Sequence, residues 1–347
     1  MMRELKKILV IQTAFIGDVI LTLPMVQALK RAFPDASIDI VVIPRALDLL
    51  ANSPLISHAI SYDKRKSEKG PGGFFRLVKK LQLGKYDLAV VPHRSLRSAL
   101  LARLSNIPKR IGFDRSAGKV FFTDLVRYDS GKHEVERNYS LLVPLGINLQ
   151  HKELPKLYPS VQDAAEVDRL SLAQGPEEEK LWIAVAPGTV WKTKQWLPER
   201  FAEVAKKLSA DHTVILIGGK EDEALCEEIR RSVGMTNCKN FAGKLSLLQS
   251  AEAIKRCRLL ISNDSAPMHI AVAVGTPVVA IFGATVPEFG FSPYGVHDVV
   301  VETKGLECRP CAIHGGIKCP IKSFVCMRAL ESQEILRVIE ERMMKIT

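Results

Sequence analysis

At 347 residues, with 47% hydrophobic and 25% charged side chains, the chain is long enough for two α/β domains of about 150 to 180 residues each. That balance excludes a disordered or fibrous protein. The formal net charge of +11 is unevenly placed: residues 1–150 hold 24 Lys and Arg against 13 Asp and Glu, whereas residues 151–347 hold 25 of each. The first half therefore calls for an anionic partner, and a phosphorylated substrate, an anionic membrane surface and nucleic acid all fit, beside a merely solvated basic surface.

The N-terminus runs directly into the apolar segment Ile8–Ile11 without an apolar signal region or cleavage site, so nothing there directs export. Short β-rich runs then alternate with amphipathic stretches. Strands are expected at Lys7–Gln12, Ser37–Ile43, Leu88–Val91, Leu181–Ala186, Thr213–Ile217, Leu259–Ser262 and Val278–Phe282. Helices are expected at Val19–Ala32, Pro198–Leu208, Glu221–Val233, Ser246–Cys257, Ser265–Val274 and, at the end, Ser332–Lys345. Continuous apolar strands alternating with helices predict α/β architecture with doubly wound parallel sheets, one in each half. The pattern breaks over Leu145–Gly175, where Pro155, Pro159 and the polar run from Gln174 to Glu179 interrupt it, and a domain boundary is expected there. The expected division is an N-terminal domain over 1–160, a C-terminal domain over 175–330, and a closing helix within 331–347 that could return to the first domain. The most apolar region, Ile270–Val286, is interrupted by Gly275, Thr276, Pro277 and Gly283 and cannot span a bilayer.

Ligands of open parallel sheets bind beyond the carboxyl ends of the strands, so the strand-to-helix turns carry the candidates. The first, Thr13–Val19, lacks the G-x-G-x-x-G pattern of a dinucleotide turn. Gly17 would let the chain turn tightly and leave Asp18 at the start of the helix, where an N-cap is the ordinary role. The second, Ala186–Trp196, offers Gly188, Thr189, Lys192 and Lys194 as phosphate donors, or else is a basic loop anchored by Trp196. The third, Ile261–His269, opens a small-residue helix that Asp264 or Ser265 can cap. Asp264 would repel a pyrophosphate and is better suited to accept hydrogen bonds from sugar hydroxyls. Separately, Cys308, Cys311, Cys319 and Cys326 cluster around His314; the first pair has C-x-x-C spacing and the second does not, so a metal, reduced structural thiols and a disulfide all remain open.

Taken together these segments resemble the bacterial ADP-heptose:lipopolysaccharide heptosyltransferases of glycosyltransferase family nine, over almost the full length. The anchors are Gly17-Asp18 with Thr22-x-Pro24, Arg110–Phe113, His133–Asn138, Pro187-Gly188 through Lys194-x-Trp196-x-Pro198, Gly218-Gly219-x-Glu221, and Asn263–Pro267 with His269 and Gly275–Pro277. Within the family, the pattern is nearer heptosyltransferase II than I. The resemblance implies a GT-B fold, two Rossmann-like domains facing a cleft, and an inverting glycosyltransferase that needs no metal or other cofactor. It implies that Asp18 is the general base and that Thr189, Lys194, Glu221, Leu245, Asp264, Ser265, Ala266 and His269 bind the ADP-heptose donor. On the acceptor side it leaves Gly17, Arg94, Arg97 and His133, with Lys64, Arg65, Lys66, Arg76, Lys79 and Lys80 as further basic candidates for the anionic lipopolysaccharide core or the membrane. Gln12 stands where many members have a basic residue, and only part of the family shares the cysteines; both departures bear on acceptor choice. A protein of this kind is expected in the cytoplasm, peripheral on the inner face of the inner membrane. The alternatives are a family enzyme with another nucleotide sugar or acceptor, including types I and III, and a basic nucleic-acid-binding protein. Against the last stand only six Tyr, three Trp and no recognition motif.

Overall fold

A computed structural model describes residues 5–148, 152–174 and 180–346. The chain divides into two compact units, Met1–Tyr158 and Pro159–Thr347. Residues 175–179, the polar interruption expected near the boundary, lie outside the described residues.

The first unit contains strands β1 (Lys7–Ile11), β2 (Ser37–Val42), β3 (His58–Ser61), β4 (Leu88–Val91), β5 (Lys109–Phe113) and β6 (Asp124–Val126). They form one parallel sheet in the order β3-β2-β1-β4-β5-β6. Its helices are α1 (Ile16–Ala32), α2 (Pro71–Gly84), α3 (Leu96–Leu104) and α4 (Glu134–Ser140). The second unit opens with α5 (Val161–Ala173) and holds β7 (Trp182–Ala186), α6 (Pro198–Leu208), β8 (Thr213–Leu216), α7 (Glu223–Val233), β9 (Cys238–Asn240), α8 (Leu247–Lys255), β10 (Cys257–Asn263), α9 (Ala266–Val274), β11 (Val278–Phe282), β12 (Val299–Glu302), α10 (Val325–Arg328) and α11 (Ser332–Ile346). Its parallel sheet runs β12-β11-β10-β7-β8-β9. Each unit thus repeats one doubly wound order, reversing direction between its first and fourth strands.

Burial explains which strands the sequence betrays. Ile8–Ile11, Leu88–Val91 and Val278–Phe282 are buried on both faces and read as continuous apolar runs. The edge strands β3, β6 and β9 are three or four residues long and carry His58, Asp124 and Lys239, so they give no such signal. The helix α5 lies in the stretch where the domain boundary is expected. Ser160 and Asp163 close a capping box at its start, and Val167, Leu170 and Ser171 are buried, while α5 packs on α8. The closing helix α11 packs on α6, and its Ile335 and Ile339 enter the core of the second unit beside Phe201 and Val204. Among the described residues no helix is long and apolar enough to cross a membrane.

Candidate functional site

In the first unit the chain leaves β1 at the point where the sheet order reverses. Thr13 meets His93, which follows β4, with Oγ1 and Nδ1 3.0 Å apart. Gln12 is buried and donates its Nε2 to Thr22 Oγ1 at 3.1 Å. The helix begins one turn earlier than the sequence suggested: Phe15 is its N-cap, Ile16 and Gly17 are already helical, and Asp18 is the third helical residue. Gly17 therefore does not make the turn, and Asp18 is not the N-cap. A carboxylate at this position reaches back to the capping residue instead, and Phe15 N donates to Asp18 Oδ2 at 3.1 Å.

Cations gather around that turn. Lys64 Nζ donates to Thr13 O at 2.6 Å, and Arg65 lies over the Phe15 ring. Arg94 stacks 4.0 Å from the Tyr128 ring centroid, and Arg97 donates to Tyr62 Oη at 3.2 Å. Burial, then Arg65 and Arg97, push the Lys64 ammonium below its ordinary range, while Asp18 opposes the shift. Arg97 and Asp18 are therefore both within electrostatic reach of Lys64. His133 caps α4, its Nδ1 accepting from Val135 N at 3.2 Å, and places Glu134 in the first helical turn. Arg76, Lys79 and Lys80 are exposed on α2, and Lys66 is exposed beyond Lys64.

His93 escaped the sequence reading, although Pro92-His93 directly follows a strand expected at Leu88–Val91. Burial, then Lys64 and Arg94, depress its imidazole to about 4. The native protein thus protonates His93 only near pH 4, whereas the unfolded chain does so from 6.5, so stability is lost as pH falls through that window. Between pH 7 and 5 the loss is about 2 kcal/mol. Glu134, whose proton affinity is raised, acts in the opposite direction, so the informative quantity is a difference. In denaturant melts across this range, His93→Asn should lose less stability on acidification than the parent; an equal loss would contradict the assignment.

In the second unit the corresponding reversal lies between β7 and β10. Asn263, at the end of β10, donates to Pro187 O at 2.8 Å and accepts from Trp196 N at 3.0 Å, so one buried amide ties both strand exits together. Trp196 is fully buried, and its indole donates to Leu330 O at 3.1 Å. The tryptophan anchor and the polar loop are thus the same feature. Lys194 Nζ lies 2.6 Å from Asp264 Oδ2, with both side chains largely buried. Thr285 Oγ1 donates to the same carboxylate oxygen at 2.7 Å. The cap of α9 is Ser265, and Asp264 instead faces Lys194. Ala266 begins α9 and His269 is buried within it.

The remaining candidates share this carboxyl edge. Glu221 is exposed in a 3-10 turn after β8, and Leu245 is half-buried just before α8. Their loops are neighbours, since Gly243 N donates to Gly218 O at 3.1 Å. Gly188 abuts Asp222, and a Cβ there would sit 2.2 Å from the Asp222 Cγ, which explains a glycine at that exit. Thr189 Oγ1 accepts from Trp191 N at 3.4 Å.

The cysteine segment braces this edge from outside. Gly316 O accepts from Thr193 N at 3.0 Å and Gly316 N donates to Thr193 Oγ1 at 2.7 Å, next to Lys194. Arg309, largely buried and paired with Glu302 at 2.6 Å, donates to the carbonyls of Gly283, Thr285 and Thr303. All seven cysteines are free thiols. Among the described residues no three His, Cys, Asp or Glu side chains form a group that could hold a metal, the four thiols at 308, 311, 319 and 326 included. Thr285 and Arg309 were missed by the sequence reading because neither belongs to a motif.

Comparison with known proteins gives the family. Glycosyltransferase family 9 (heptosyltransferase) matches residues 74–318. Lipopolysaccharide heptosyltransferase 3 of Escherichia coli is 33% identical over 284 residues, covering 78% of this chain and 82% of that protein. Lipopolysaccharide heptosyltransferase 2 of Salmonella typhimurium is 30% identical over 293 residues, covering 82% and 84%. The solved structure of E. coli ADP-heptose lps heptosyltransferase II is similar with a TM-score of 0.79 at 25% identity, over 98% of this chain and 99% of that one. The chain matches that family in sequence, its two six-stranded parallel sheets match it in fold, and the chain belongs to glycosyltransferase family 9: it is a glycosyltransferase of the α/β GT-B class.

Proposed function

We propose that the protein transfers heptose from ADP-heptose, with inversion, to the inner core of lipopolysaccharide, as a heptosyltransferase II-like enzyme. The observation that carries this reading is the buried Lys194–Asp264 pair at the switch point of the second sheet, set beside the N-terminus of α9. Lys194 and the α9 terminus receive the departing diphosphate, and Thr189, Glu221, Leu245, Ser265, Ala266 and His269 complete the donor site. Asp18 is the base: it takes the proton of an acceptor hydroxyl while that oxygen attacks the anomeric carbon and the bond to ADP breaks. Lys64, Arg94 and Arg97, with Gly17 and His133, border the acceptor. The basic first unit suits an anionic core displayed on the cytoplasmic face of the inner membrane. Association with anionic liposomes that is insensitive to salt would contradict that last element.

A heptosyltransferase III-like specificity is the second reading, favoured by the relative at 33% identity whose name carries it. Donor profiling tests what the two readings share. ADP should be released from ADP-heptose in the presence of a core acceptor, with UDP- and GDP-sugars inert; preferential use of either would overturn the donor assignment.

A further inference from the structure

The helix α4 is keyed onto α1 by a buried amide. Asn138 Nδ2 donates to Leu21 O at 3.2 Å and lies 3.5 Å from Thr22 Oγ1, and Thr22 Oγ1 donates to Asp18 O at 2.8 Å. Counting back four residues on each helix, about one turn and 5.4 Å, leads from Thr22 to Asp18 and from Asn138 to Glu134. α1 and α4 pack on each other, Asp18 and Glu134 each stand in the first turn of their helix, and the Asp18 charge acts on the Glu134 carboxyl. Glu134 is 7% exposed and bonded to Arg137 Nη1 at 2.9 Å, and that guanidinium is itself held by Tyr128 Oη, Asp129 O and Ser130 O. None of the roles assigned above uses Glu134.

We propose that Glu134 is a positioning residue for the transfer reaction: a second carboxylate whose ionisation raises the proton affinity of Asp18 and strengthens it as a base. This inference rests on Asp18 being that base. The groups facing Glu134 are Asp18 from α1, Arg137 from its own helix, Arg94 from the loop before α3, and Tyr128 after β6. Burial first and the Asp18 charge second push its carboxyl up to about 7, outweighing the Arg137 contact that pulls the other way. Below neutral pH Glu134 is protonated, and Asp18 is the only one of the two that carries charge. Above it, a second negative charge appears beside Asp18, and like charges at this range increase the affinity of each carboxylate for a proton. In the reaction the proton moves from the acceptor hydroxyl to Asp18, the oxygen's electron pair forms the new glycosidic bond, and the old bond's pair leaves with ADP. Glu134 ends the cycle as it began.

The test is the pH dependence of turnover with saturating ADP-heptose and acceptor, compared between the parent, Glu134→Gln and Glu134→Asp. The parent's kcat should rise about three- to tenfold through neutral pH, Glu134→Gln should lose that rise while still binding ADP, and Glu134→Asp should keep part of it. A Glu134→Gln profile superimposable on the parent's overturns the proposal, because a purely structural role would lower turnover evenly or not at all. Should Glu134→Gln fail to fold, carboxyl carbon NMR of the parent chain and of Asp18→Asn decides the matter. The Glu134 midpoint should fall when the Asp18 charge is removed, and an unmoved midpoint overturns the coupling. This arm needs no turnover, so it fails separately from the reading of Asp18, which falls only if Asp18→Asn keeps near-normal activity.

Discussion

Replacement of Asp18 by Asn is expected to leave ADP binding intact and to lower turnover by about 10² to 10⁴-fold, the usual contribution of a positioned general base. The substitution is close to isosteric, and an amide oxygen at position 18 can still accept from Phe15 N, so the start of α1 is retained. The loss should therefore fall on kcat rather than on folding. Calorimetric titration with ADP and initial rates on the same preparation separate the two. Near-normal turnover would remove Asp18 from the mechanism, whereas lost ADP binding would reveal a folding defect.

Replacement of Lys194 by Ala should have the largest combined effect, because the lysine has both a structural and a proposed chemical role. Removing one partner of a largely buried ion pair leaves the Asp264 carboxylate with Thr285, at a cost of roughly 3–5 kcal/mol in stability. Losing a charge that stabilises the leaving diphosphate should lower kcat/KM by a further 10² to 10³-fold, roughly the effect of deleting one preorganised donor. The double variant Lys194→Ala with Asp264→Asn separates these contributions. Neutralising the orphaned carboxylate should restore most of the melting temperature without restoring donor use. If activity returned together with stability, Lys194 would be a structural residue only.

These effects follow from groups that the sequence revealed to different degrees. The central strands were legible because Ile8–Ile11, Leu88–Val91 and Val278–Phe282 are buried on both faces, and a continuous apolar run is what that environment demands. The edge strands β3, β6, β9 and β12 carry too little apolar length to be found in the same way. In α5 only three residues are buried, so the capping pair Ser160 and Asp163 was its clearest mark, in a stretch whose prolines suggested a domain boundary.

At the two switch points the turns themselves could be located, because strand exits are where doubly wound sheets bind ligands. What each side chain does there could not. Asp18 looked like an N-cap, and only the start of α1 at Ile16 shows that it caps from the third position. Asp264 looked like a cap or a hydroxyl acceptor, and only the chain crossing brings Lys194, 70 positions earlier, to within 2.6 Å of it. His93, Thr285 and Arg309 act through partners on other elements, and no local spacing encodes those contacts.

The most direct measurement is incubation of the protein with ADP-heptose and a panel of truncated lipopolysaccharide core acceptors, followed by mass spectrometry. One inner-core acceptor should gain the mass of a single heptose residue, with ADP released in equal amount and both products lost in Asp18→Asn. An unchanged acceptor panel from a protein that still binds ADP would contradict the assignment.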